Sequence, residues 1–128
     1  MADSILLNQA ILNGTYDASP LTFDTNAVST LLVGGLVATK SADMAVWLGG
    51  NLTYTITIDN DADEDFVNPT VTDTLDIAQV AFVDGSVQID GAVTSNYTYA
   101  ALTGVLTVTV PTVLAGTSTA VTFQVSKI

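Results

Sequence analysis

The sequence predicts an all-β fold of the sandwich or barrel type, on three observations. Period-two alternation of apolar and polar residues dominates, and helical periodicity is hard to find. Turn dipeptides separate the alternating runs, among them Asn13-Gly14, Ser19-Pro20, Gly34-Gly35, Gly49-Gly50, Asp84-Gly85, Asp90-Gly91, Thr103-Gly104 and Ala115-Gly116. Short strands punctuated about every 8–12 residues are the pattern such folds leave in a sequence.

The first run, Ile5 to Leu12, is apolar on both faces of a strand. Ile5, Leu7 and Ile11 lie on one face, and Leu6, Ala10 and Leu12 on the other. A strand apolar on both sides expects cover on both, whereas a chain terminus is usually polar and frayed. This segment is therefore expected to be inserted into something. Asn13 to Thr25 reads as a polar turn region, Ala27–Val33 as a returning strand, and Gly34-Gly35 as a hinge. Leu52–Ile58 is the clearest strand, with Leu52, Tyr54, Ile56 and Ile58 on one face and Thr53, Thr55 and Thr57 on the other. Ser86–Asp90 sits between two Asp-Gly turns. Leu106, Val108 and Val110 alternate with threonines before Pro111, and Val121, Phe123 and Val125 alternate with Thr122, Gln124 and Ser126 in the last strand, Ala120–Ser126.

At 128 residues the chain reads as one structural domain, large enough for a core without staples. It has no Cys, His or Arg, so disulfides, imidazole bases and guanidinium phosphate grips are all absent. Lys40 and Lys127 face 13 acidic residues, for a net charge of −11. That charge repels nucleic acid and anionic headgroups, so no nucleic-acid partner is expected. The longest apolar stretch, Leu31–Ala38, falls short of the roughly 20 residues that span a bilayer, so no membrane insertion is expected. Met1-Ala-Asp-Ser lacks the basic region of a signal peptide, and none is visible. The carboxylate pairs Asp17 with Asp24 and Asp73 with Asp76 have no partner that would separate their pKa values, so no catalytic residues and no enzyme are expected.

The acidic run Asp59, Asp61, Asp63 and Asp65 is the one constellation with metal chemistry. Carboxylates at every second position of a loop can supply several of the oxygens Ca²⁺ takes. The run lacks the glycine and the terminal glutamate of an EF-hand loop, and a solvated loop that discourages edge pairing explains it as well. Trp47 with Tyr54, Tyr97 and Tyr99 reads as a core plug or, alternatively, a sugar-stacking platform. Sequons stand at Asn13, Asn51 and Asn96.

From Val37 onward the chain carries, in order, Thr39-Lys-Ser-Ala-Asp43, Gly50–Ile58, Thr70–Leu75, Phe82–Ile89, Thr103–Val108 and Leu114-Ala-Gly116. In that order and spacing it resembles the surface-repeat domain of bacteria and archaea known as domain of unknown function eleven. The resemblance implies an immunoglobulin-like two-sheet sandwich and a cell-surface role without a known activity. Domains of that family usually close with a hairpin of an Asn-x-Ala strand and a Ser-Asn-x-Ala-like return. Here the matching pieces stand first, as Asn8-Gln9-Ala10 and Thr25-Asn26-Ala27.

The permuted order divides the chain into a donor hairpin, 1–33, and a sandwich, 34–128. Either the hairpin folds back on its own sandwich or it completes a neighbour's by strand addition. In the second case the protein is a non-catalytic subunit of an extracellular, cell-surface polymer whose partners are copies of itself. Ile5, Leu6, Leu7, Ala10, Ile11 and Leu12 are then expected to meet Val121, Phe123 and Val125 of the adjoining subunit. Deleting 1–33 is expected to leave an unstable, aggregating remainder. The alternative from another class is a self-contained adhesion module, with Ca²⁺ possible at the acidic loop.

Overall fold

The computed structural model of the chain describes residues 4–32 and 34–128. Met1, Ala2, Asp3 and Val33, the last being the expected end of the hairpin, lie outside the described residues. The fold is all-β, every strand pairing is antiparallel, and no helix occurs among the described residues.

The N-terminal segment is one long ribbon in two stages. β1 (Ser4–Asn8) pairs with β4 (Val28–Leu32), and between them β2 (Ile11–Tyr16) pairs with β3 (Ser19–Asp24). The polar turn expected over Asn13–Thr25 is corrected: most of it is strand. The turn is only Asp17-Ala18, both at positive φ (52° and 61°), the backbone a two-residue hairpin turn demands. Asn13-Gly14 and Ser19-Pro20 sit within the strands. Pro20 is tolerated because a two-stranded ribbon has only edge strands.

The rest of the chain is a two-sheet sandwich. Its strands are β5 (Leu36–Ala42), β6 (Leu52–Asn60), β7 (Thr70–Thr74), β8 (Val80–Phe82), β9 (Gln88–Ile89), β10 (Ala92–Val93), β11 (Tyr97–Ala100), β12 (Val105–Thr109) and β13 (Thr117–Lys127). The larger sheet runs β10-β9-β13-β6-β5, with β8 also on β13, and the smaller runs β11-β12-β7. The core forms where alternation predicts it. Leu52, Ile56 and Ile58 of β6 and Val121, Phe123 and Val125 of β13 meet Leu106 and Val108 of β12, with Leu75, Val87, Val110 and Val113 closing the ends.

The two sheets are unequal in reach. Opposite residues of an antiparallel pair share a face, so Leu36, Ala38, Lys40 and Ala42 of β5 lie on the core side, beside Asn60, Ile58, Ile56 and Tyr54 of β6. Yet β5 is exposed along its whole length. The smaller sheet stops at β7, so among the described residues it has no strand to lie over β5. One side of the sandwich is open.

Candidate assembly surfaces

The ribbon is built to hold its shape at its middle. Two residues, Gln9 and Ala10, face three, Thr25 to Ala27, so one strand carries an extra residue there, as in a β-bulge. Thr25 organises the mismatch: its backbone N–H donates to the Ala10 carbonyl (2.9 Å), its Oγ1 accepts from the Ala10 N–H (3.1 Å), and its carbonyl accepts from Gln9 Nε2 (2.7 Å). Gln9-Ala10 and Thr25-Asn26-Ala27 thus lie opposite each other in the ribbon.

Among the described residues no strand of the ribbon pairs with a strand of the sandwich, and large apolar side chains between residues 5 and 28 are open to solvent. Ile5, Leu6, Leu7, Ile11 and Leu12 keep 43–68% of their surface exposed, and Ala10 is exposed with them. Leu12, Tyr16, Leu21 and Phe23 share one face of the tip, all exposed. Tyr16, Leu21 and Phe23 escaped the sequence reading because Ser19-Pro20 looked like a turn. The Leu21-Thr22-Phe23 alternation is the signal that could have found them.

The open side of the sandwich is a cleft lined by Lys40, Trp47, Leu52 and Tyr54 from one layer and Asp73 and Leu75 from the other. Lys40 Nζ reaches across to Asp73 Oδ2 at 2.6 Å and lies 4.5 Å from the centre of the Tyr54 ring. This pair joins the two sheets where no strand does.

Two expectations about assembly are corrected. Val121, Phe123 and Val125 offer no docking surface: each is 0% exposed, in a strand held by β6 on one edge and by β8 and β9 on the other. Gly35 is no hinge. Its φ is +90°, its carbonyl accepts the Asp61 N–H at 2.8 Å, and a Cβ there would meet Asp61 and Ala62 backbone atoms within 2.9 Å. Gly34 precedes it, half-buried.

Asp59, Asp61, Asp63 and Asp65 are placed by a residue the sequence reading passed over. Asn60, fully buried at the end of β6, donates from Nδ2 to the Glu64 and Val113 carbonyls (2.9 Å each) and accepts the Ala62 N–H at Oδ1 (3.1 Å). Asp65 accepts the Ala115 N–H (2.9 Å). Among the described residues no group of three or more carboxylates is placed to hold a metal ion. Trp47 caps one end of the core half-buried, donating to the Gly50 carbonyl (2.9 Å), with Lys127 over its ring. Tyr97 and Tyr99 of β11 pack on Phe82. The Tyr97 hydroxyl donates to Asp84 Oδ1 at 2.6 Å, and that bond raises the phenol pKa above its ordinary 10.0.

Compared with protein families, with curated proteins and with solved structures, the chain matches none. The resemblance to the surface-repeat domain therefore rests on the residues quoted for it.

Proposed function

We propose that this chain is a structural subunit of an extracellular filament or cell-surface polymer, joined head to tail to copies of itself by β-strand complementation. The observation that carries the reading is the ribbon's exposed apolar side chains, on both faces, between residues 5 and 28. A two-stranded ribbon alone is marginal in water, and large exposed apolar patches mark interaction surfaces. The open side of the sandwich supports the same reading, because β5 has a core-facing side and no described strand across it. A ribbon in search of cover and a sheet in need of it are complementary. Docking one against the other is a heterologous contact, which propagates as a chain. Each large side chain it covers contributes roughly 1.5–3 kcal/mol as an upper bound.

Sedimentation and negative-stain microscopy test this directly. The full chain is expected to form fibres and the chain lacking residues 1–33 to form none. A full-length protein that stays monomeric at every concentration, with its ribbon protected from proteolysis, overturns the reading.

A further inference from the structure

The geometry points to β7 as the edge that accepts the ribbon of a second copy. This rests on the subunit reading above and adds where the donated strand goes. The free edges at β8 and β10, three and two residues long, are too short to seat a five-residue strand, and the other three offer different things. A strand added to β5 widens the sheet that is already the wider one and covers nothing. A strand added beyond β11 meets a side sealed by rings, with Phe82 4.7 Å from Tyr99 and 5.7 Å from Tyr97 between centroids. A strand added to β7 extends the narrower sheet across Leu36, Ala38 and Ala42 and over the cleft beside Leu52 and Tyr54.

The backbone of β7 is set for this. The Leu75 N–H donates to the Gly104 carbonyl (2.8 Å) and the Val110 N–H to the Pro69 carbonyl (2.9 Å). Bonded pairs alternate along an antiparallel ladder. Val71 and Asp73 therefore turn their backbone groups toward β12, and Thr70, Thr72 and Thr74 turn theirs to the open edge. β7, β1 and β4 are each five residues long.

Charge selects the occupant. Between copies that each carry −11, contact is made at least cost by neutral segments. From Ser4 to Thr39 the only charged residues are Asp17, in the turn, and Asp24, at the end of β3; β1 and β4 have none. The one acid of β7, Asp73, is already answered by Lys40. The occupant is the β1–β4 end of another copy's ribbon.

A cysteine-free chain makes the test clean. Full-length Ile5→Cys and Leu6→Cys proteins, one for each ribbon face, are each mixed with Ala38→Cys protein, oxidised mildly and resolved without reductant. Mixed disulfides between position 38 and one of the two ribbon positions are expected. Thr72→Pro, which removes an outward N–H and leaves the β12 ladder intact, is expected to weaken assembly about tenfold with no change in the monomer's melting. Fibres whose ribbon cysteines link instead to Val37→Cys or Thr98→Cys, or to neither these nor position 38, overturn the β7 assignment and leave the subunit reading standing. A chain carrying both Leu6→Cys and Ala38→Cys that stays monomeric and closes the disulfide on itself overturns both.

Discussion

Leu6 and Phe123 sit at the middle of antiparallel strands, and both belong to runs rich in large apolar residues. Phe123 is fully buried and Leu6 is 54% exposed. Alternation made strands of both segments. Their depth was decided by whether a second layer lies across the strand. β13 has the β12 face over it, whereas the ribbon has only itself. The same contrast recurs between neighbours: β6 is buried at Leu52, Ile56 and Ile58, and β5, paired with it residue for residue, is exposed throughout. A strand's apolarity states a demand for cover without naming the supplier.

Substitutions in the two regions sharpen that contrast. The largest effect is expected from Phe123→Ala, which leaves a cavity in the sandwich and should cost about 3–5 kcal/mol in urea unfolding. Leu7→Ala, measured in unassembled chain, should fall within about 0.5 kcal/mol of the parent. Comparable losses at both positions would mean that the ribbon packs on its own sandwich, and the contrast would collapse. Asn60→Ala ranks next. It strands the Ala62 N–H and the Glu64 carbonyl and leaves the Val113 carbonyl only the Phe66 N–H, and should cost about 1–3 kcal/mol with faster exchange of the Ala62 amide. The smallest effect lies at Tyr97. Its folded pKa is raised, so its contribution is whole below pH 10.0 and is lost as pH rises through the folded value. Tyr97→Phe should flatten the alkaline decline above about pH 10, seen in melting temperature.

Deletion of 1–33 is revised by the structure. Since no strand of the ribbon pairs with the sandwich, the remainder keeps its own core and is expected to melt like the unassembled full chain rather than aggregate.

Much of the sandwich was legible because β6, β12 and β13 bury one face and leave the other largely half-buried, which is the condition under which period two becomes visible. The doubly apolar N-terminus was legible for the same reason, as an anomaly. The role of β13 was misjudged because position in the sequence suggested an edge, and edge status is a property of topology. The last strand of this chain is an interior one. β2 and β3 were hidden by turn-like dipeptides that ribbon strands tolerate. Asn60 was hidden because a buried amide looks like its exposed neighbours until the carbonyls around it are known.

The fixed joint at Gly35 carries a mechanical consequence for the proposed polymer. Tension drawn along one subunit's ribbon reaches its body at a bolted point immediately before β5. From there the load runs lengthwise into the β5–β6 ladder, whose seven register pairs share it in shear instead of peeling apart one by one. Such a thread would pull taut without unravelling its beads. A bulkier residue at position 35 should lower the force at which it breaks.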